Sequence, residues 1–145
     1  MEGIMPILKR RKNPTPDGPG VSGPVRLCRT NDELSVVRTG DIVVIDIADL
    51  EADQARLLVA RKVSAVVNVS ASTSGRFPNL GPQVLAEASI PLVDRVGESL
   101  WQSVRSGDRV RVYQGQVFVG DQVVATGTEM TARLVRDQLD EASSG

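Results

Sequence analysis

Histidine is missing from this 145-residue sequence, and its absence excludes more chemistry than any other feature of the composition. Without an imidazole there can be no Ser-His-Asp or Cys-His catalytic pair and no phosphohistidine. Cysteine is almost missing as well, because Cys28 is the only one in the chain. A single thiol cannot form an intramolecular disulfide, and without histidine it cannot build a typical zinc site. The sequence therefore predicts no metal, no cofactor and a reducing compartment.

Long apolar runs are also missing. No stretch approaches the roughly 20 apolar residues that a membrane-spanning helix needs. The basic cluster from Lys9 to Lys12 is not followed by the apolar core of a secretory signal. We therefore expect a cytoplasmic protein, and the chain length fits a single domain.

Positive and negative charges nearly cancel, giving a formal net charge of −1, but they are unevenly distributed along the chain. The first thirty residues are basic and the remainder is acidic, so the folded part gives no strong nucleic-acid signal. Residues 1–24 combine the basic cluster with closely spaced proline and glycine, which predicts a disordered tail. The basic cluster is either solvated or contacts an anionic surface.

A first crossover predicts two parallel strands. The run Ile42–Ile47 is β-branched almost throughout, as in strands that are covered on both faces. A helix capped by Asp49 and ending near Arg61 leads to a second apolar strand, Val63–Val69. A strand, helix and strand of this length form a βαβ unit, which joins parallel strands.

A second crossover carries the candidate site. The polar loop Ser70–Asn79 follows a strand, and a short helix from Pro82 leads to the next strand, Ile90–Val93. Open α/β sheets bind ligands at the carboxyl ends of their strands, where this loop lies. Hydroxyls, a guanidinium and a helix start are the parts of a phosphate or carboxylate site. The candidate ligand-binding residues are Asn68, Ser70, Ser72, Ser74, Gly75, Arg76, Asn79, Gly81 and Asp94.

A structural role explains the same loop. Gly75 would supply a positive φ, Asn79 would cap the following helix, and Arg76 would pair with Asp94. Trp101, farther along, either packs on the core or stacks on a ligand. The residue types leave both interpretations of the loop open.

The pattern changes to strict alternation after Ser106. Residues 108–125 alternate polar with apolar side chains between tight glycine turns, which predicts an antiparallel meander. Thr126 and Glu129 then fit a capping box, which predicts a helix as far as about Ala142. Its buried stripe would contain Thr131, Val135, Leu139 and Ala142.

These elements predict an α/β fold in which central parallel βαβ units are joined to an antiparallel β meander. We expect one domain at residues 25–127, beginning with an arm packed on it, and a linker helix at residues 128–145. The closing hairpin and the linker helix both offer surfaces through which two copies could associate.

Several segments together resemble the swivelling β/β/α domain of phosphoenolpyruvate-utilising enzymes. The resemblance rests on Gly40-Asp41-Ile42-Val43-Val44, Ile90-Pro91-Leu92-Val93 and Gly107-Asp108-Arg109-Val110. In that family a loop histidine carries phosphate, whereas the corresponding stretch here, Gly75-Arg76-Phe77-Pro78-Asn79, ends in asparagine. A primary amide cannot accept a phosphoryl group as an imidazole can. The resemblance thus implies the swivelling fold, and the asparagine excludes phosphotransfer.

A longer match is similar to the N-terminal domain of the SteA family, which are actinobacterial proteins of the cytokinetic ring. It rests on Ser74-Gly75-Arg76-Phe77-Pro78-Asn79-Leu80-Gly81-Pro82, together with Ala65-Val66-Val67-Asn68 and Ile90-Pro91-Leu92-Val93-Asp94. This resemblance implies that a thiamine-pyrophosphokinase-like domain follows. It also implies a coiled-coil membrane partner, SteB, and a role at the division septum.

Two functions are consistent with these features. The first is a non-catalytic interaction or regulatory domain of a cell-division protein that acts in septation. The alternative is a phosphate- or nucleotide-binding domain that completes an active site with the implied C-terminal domain. A homodimer through the meander edge at Gln116–Val119 or through the final helix is a further expectation.

Overall fold

A mixed eight-stranded sheet organises the protein, whose computed structural model describes residues 19–73 and 79–137. The sheet follows the order β7-β6-β5-β1-β2-β3-β4-β8, so parallel and antiparallel strands share it. The strands are β1 (Val21–Cys28), β2 (Ile42–Ile45), β3 (Ala65–Asn68), β4 (Leu92–Asp94), β5 (Arg109–Tyr113), β6 (Gln116–Val119), β7 (Gln122–Thr126) and β8 (Thr128–Glu129).

The parallel half consists of β1 to β4. Val44 of β2 lies beside Leu27 of β1 on one side and Val67 of β3 on the other. All four residues of β2 are buried, because both faces of this half are covered. The predicted crossover between two parallel strands is therefore confirmed.

The antiparallel half consists of β5, β6 and β7, joined to the parallel half through β1. Its three consecutive strands form the meander that strict alternation predicted. At the other end of the sheet β8 pairs antiparallel with β4. Because Gly127 alone separates β7 from β8, the two ends of the sheet meet and the sheet curls round on itself.

Helices cover one face of the parallel strands. They are α1 (Ala52–Ala60), α2 (Gly81–Glu87), the 3-10 helix Asn31–Val36 and the helical residues 132–137. Their buried side chains form one core with the strand residues that point the same way, notably Val43, Val66 and Leu92. Apolar burial of this kind contributes about 25 cal/mol for each Å² removed from water.

The opposite face of the parallel strands packs against the meander and α3 (Leu100–Ser103). This second core contains Ile42, Val44 and Val67 from the parallel half and Val110 and Val117 from the antiparallel half. The curled sheet thus encloses one core between its own two halves, while helices close the other.

The start of the domain differs from the prediction. Residues 21–24 are not part of a tail, because they pair with β5, and β1 lies in the middle of the sheet instead of forming an arm. The mixed polar and apolar residues of this strand give no clear period, and one of its two partners, β5, comes from far along the chain. The basic cluster Lys9–Lys12 lies outside the described residues.

Two of the predicted helix caps are also wrong. Asp49 has a φ of +57°, and α1 begins later, where Gln54 Oε1 accepts the N–H of Glu51 at 2.9 Å. Thr126 and Glu129 belong to strands. The last helix instead starts after Thr131, whose Oγ1 accepts the N–H of Leu134 at 3.2 Å.

The predicted linker helix is therefore shorter at its start. Residues 128 and 129 belong to the sheet, and Val135 is buried as predicted, whereas Thr131 is exposed. Leu139 and Ala142 lie outside the described residues. Gln116–Val119 is not an edge of the sheet as predicted, because β6 lies between β5 and β7, and a homodimer stays a prediction.

Candidate functional site

Asn68 is the centre of a polar network at the carboxyl edge of the parallel strands. It ends β3 and is fully buried. Its Oδ1 accepts the N–H groups of Ile47 and Ser70, both at 3.1 Å. Its Nδ2 donates to the carbonyl of Ile47 and to Ser72 Oγ, both at 2.8 Å. An amide offers two donor hydrogens and two lone pairs, so Asn68 uses its full hydrogen-bonding capacity.

Asp94 lies beside this amide at the end of β4 and is 2% exposed. Its Oδ2 accepts the N–H of Ser72 at 2.9 Å, and its Oδ1 accepts the Ser72 hydroxyl at 2.5 Å. Burial raises the pKa of Asp94, while the two hydrogen bonds from Ser72 and the charge of Arg95 act in the opposite direction. Ser72 therefore links Asn68 to a buried carboxyl group whose pKa is raised.

Ser70 ties the same loop to β2. Its hydroxyl donates to Asp46 Oδ1, just after β2 ends. The carbonyl of Ala71 accepts the N–H of Asp49 at 3.0 Å, and the carbonyl of Ser72 accepts the N–H of Leu50 at 2.8 Å. The loops that follow β2 and β3 are thus fixed to each other by backbone as well as side chains.

Asn79 and Gly81 lie at the start of α2. Asn79 is 4% exposed, and its Oδ1 has no hydrogen-bond partner among residues 19–73 and 79–137. It does not cap α2, whose N-cap residue is Leu80, so the predicted capping role is wrong. A Cβ on Gly81 would lie 2.4 Å from the carbonyl oxygen of Leu50, which explains the glycine by close packing.

The predicted site is thus divided. The structure brings Asn68, Ser70, Ser72 and Asp94 together, and it places Asn79 and Gly81 at the start of the helix that follows the loop. Ser74, Gly75 and Arg76 lie outside the described residues, so the pairing of Arg76 with Asp94 stays a prediction.

Sequence reasoning missed a cation at the same edge. Arg29 follows β1, and its guanidinium carbon lies 4.8 Å from the centroid of the Trp101 ring. Trp101 is half-buried against the core between the two halves of the sheet, which confirms its packing role. Arg29 could have been found only by recognising β1 as a strand, because its position depends on where that strand ends.

A cavity of about 210 Å³ lies apart from these residues. It is formed by α2 and the helical residues 132–137 and contains none of the predicted site residues. Its lining consists of Gln83, Ala86, Glu87, Ala132, Val135 and Arg136.

Searches for a metal site, a membrane segment and relatives were all negative. Within residues 19–73 and 79–137, no group of three or more Cys, Asp or Glu side chains is placed to hold a metal ion. No helix in those ranges is long and apolar enough to cross a membrane. A scan against models of protein families finds no match to the chain, and a search of curated proteins finds no relative.

Proposed function

We propose that this chain is a non-catalytic interaction or regulatory domain of a cell-division protein that acts in septation. The observation that supports a non-catalytic role is the network of Asn68, Ser72 and Asp94. These three groups donate to and accept from one another and the nearby backbone. A general base must instead reach a proton on a substrate.

The septation role is supported by the resemblance of the loop and strand segments to the SteA family. The same resemblance supports a coiled-coil membrane partner of the SteB type, with the chain on the cytoplasmic side. The curled α/β sheet is compatible with the swivelling β/β/α fold that the resemblance implies.

A localisation and binding experiment tests this proposal. A fluorescent fusion of the chain, expressed in an actinobacterium, should concentrate at division septa. The purified chain should also bind the purified coiled coil of a SteB-like protein in calorimetry. Uniform fluorescence together with no binding heat would contradict the proposal.

Asn79 favours a second candidate function, a phosphate- or nucleotide-binding domain. Its Oδ1 is buried without a hydrogen-bond partner in the described part of the chain, and Asn79 is the last residue of the predicted loop. Unpartnered buried polar atoms are rare in native proteins and often mark functional positions.

A thermal-shift screen separates the two candidates. The panel contains inorganic phosphate, nucleotides, thiamine phosphates and sugar phosphates, tested on the chain and on Asn79→Ala and Arg76→Ala. A ligand at a hundred times its dissociation constant should stabilise the fold by about 2.7 kcal/mol. A response lost in both variants would establish the ligand-binding function. No thermal shift with any ligand of the panel would favour the interaction domain over the ligand-binding domain.

A further inference from the structure

The cavity between α2 and the helical residues 132–137 is a groove on the helix-covered side of the sheet. Each of the two helices contributes three residues at positions i, i+3 and i+4, a spacing that places side chains on one helix face. They are Gln83, Ala86 and Glu87 from α2, and Ala132, Val135 and Arg136 from the second helix. One face of each helix therefore lines the groove.

Small side chains keep this groove unfilled. Ala86 lies on one wall and Ala132 on the other, where larger apolar side chains would interdigitate and close the space between two packed helices. Val135 completes the apolar lining and belongs to the core beneath the helices. The groove, about 210 Å³ in volume, is thus open to aliphatic side chains, which would gain free energy by leaving water there.

The two walls of the groove carry opposite charges. Glu87 is exposed on α2, and its Oε2 accepts from Gln83 Nε2 at 3.0 Å, which orients the carboxylate along the lining face. Arg136 is exposed on the other wall. Neither Glu87 nor Arg136 belongs to an ion pair within residues 19–73 and 79–137. An occupant of the groove therefore meets a negative charge on one side and a positive charge on the other.

The length of the groove suits a short helix. α2 has 7 residues, which at 1.5 Å for each residue gives about 10 Å, or two helical turns. An amphipathic helix that lays its apolar face into an apolar groove is a common mode of recognition. A second copy of the chain suits the groove less well, because a stable interface uses roughly 20–30 residues on each side, whereas six line the groove.

We propose that this groove binds an amphipathic helix of a partner protein, in which an aliphatic stripe is flanked by a basic residue on one side and an acidic residue on the other. The stripe lies over the apolar lining, the basic residue beside Glu87 and the acidic residue beside Arg136. This rests on the proposed interaction function, to which it adds the surface and the chemistry of the partner. It does not depend on the role in septation.

Titrations of the whole chain with three helical peptides test the proposal. All three carry the same leucine stripe. The mixed peptide has lysine along one flank and glutamate along the other, the basic peptide has lysine on both flanks, and the acidic peptide has glutamate on both. The mixed peptide should bind about fivefold more tightly than either of the others, because each of those replaces one attraction with a repulsion. Equal affinity for the three peptides, or no binding of the mixed peptide, would overturn the proposal.

Charge reversals locate the binding. Arg136→Glu leaves two acidic walls, so this variant should prefer the basic peptide over the mixed one about fivefold. Glu87→Lys leaves two basic walls and should prefer the acidic peptide. An unchanged preference for the mixed peptide in both variants would mean that the groove is not the binding surface.

Matched controls change net charge by the same amount outside the groove. Arg133→Glu lies on the same helix as Arg136, and Asp53→Lys lies on the surface of α1. Both positions are exposed, so the variants should fold and should keep the preference for the mixed peptide. A switch of preference in these controls would show a general effect of net charge and would overturn the proposal.

Sedimentation tests a second copy as the occupant. The chain alone should stay monomeric at the concentrations of the titrations. A dimer that dissociates in Arg136→Glu would assign the groove to self-association and overturn the proposal.

Calorimetry with the coiled coil of a SteB-like protein separates this proposal from the proposed function. If that coiled coil binds the wild type, Glu87→Lys and Arg136→Glu equally, the interaction function stands and the groove is the wrong surface. If it binds none of them while the peptides show the expected switch of preference, the groove stands and the septation role fails.

Discussion

The two halves of the sheet bury polar side chains in opposite ways. At the carboxyl edge of the parallel half, Asn68, Ser72 and Asp94 satisfy one another and leave no partner missing among themselves. On the outer face of the antiparallel half, Ser22 and Arg111 each hold a buried atom without a partner in the described residues. A closed network stabilises the fold that contains it, whereas buried polar atoms without partners lower its stability.

Asp94→Ala should produce the largest effect, because it opens the closed network. The N–H and hydroxyl of Ser72 would stay buried without an acceptor, so we expect the free energy of unfolding to fall by about 3 kcal/mol. Urea denaturation measures this. The control is Asp53→Ala, since Asp53 is exposed and pairs with Arg56 on the surface of α1, and it should cost less than about 0.5 kcal/mol. Similar losses in both variants would contradict the network's role.

Gly127→Ala should weaken the joint between the two halves. A Cβ there would lie 2.2 Å from the carbonyl oxygen of Asp94, so the backbone must shift, at a cost of about 2 kcal/mol. Gly120→Ala is the control, because its surroundings are open and only its φ of +60° opposes a side chain, which costs about 1 kcal/mol. Thermal unfolding of both variants ranks the costs. A smaller loss of stability for Gly127→Ala than for Gly120→Ala would show that the two halves of the sheet are not tightly packed where they join.

Two serine substitutions test the comparison directly. Ser72→Ala removes a hydroxyl that both accepts and donates, so stability should fall. Ser22→Ala removes a buried hydroxyl without a partner, so stability should rise by about 1 kcal/mol. Chemical denaturation measures both. Changes of the same sign would show that the two halves do not differ in this way.

The pH dependence should show the smallest effect, because hydrogen bonds from Ser72 oppose the effect of burial on Asp94. The pKa of Asp94 is raised, so the folded state holds this proton more tightly than the unfolded state does. Its contribution to stability is therefore greatest below its ordinary pKa of 3.8 and is lost as the pH rises through the raised value. The stability of the wild type minus that of Asp94→Asn should fall over this range. If this difference in stability instead rises with pH, the pKa of Asp94 is not raised in the folded state and the prediction is wrong.

Local patterns were sufficient for several elements. The β-branched run from Ile42 identified β2, and strict alternation identified the meander from β5 to β7. These patterns are visible in the sequence because burial of one or both faces of a strand determines which of its positions are apolar. Grouping Asn68, Ser70, Ser72 and Asp94 also succeeded, since parallel strands end at a common edge.

Capping patterns were less informative. Thr126 and Glu129 have the spacing of a capping box, yet both lie in strands because their neighbours in space are strands. Asp49 followed by Glu51 and Asp53 is typical of a helix start, yet the backbone of Asp49 takes a positive φ. Local propensities of a few residues contribute about 1 kcal/mol, which tertiary pairing readily exceeds.

The sequence by itself determined the α/β class, the parallel crossovers and the absence of histidine chemistry, because composition and periodicity record burial and available side chains. Only the tertiary structure decided that β1 occupies the middle of the sheet and that Gly127 joins its two ends. It alone also placed Ser22 opposite Arg111, 89 residues apart in the chain. Such pairs depend on strand register between distant segments, and register is fixed by the packing of the whole sheet.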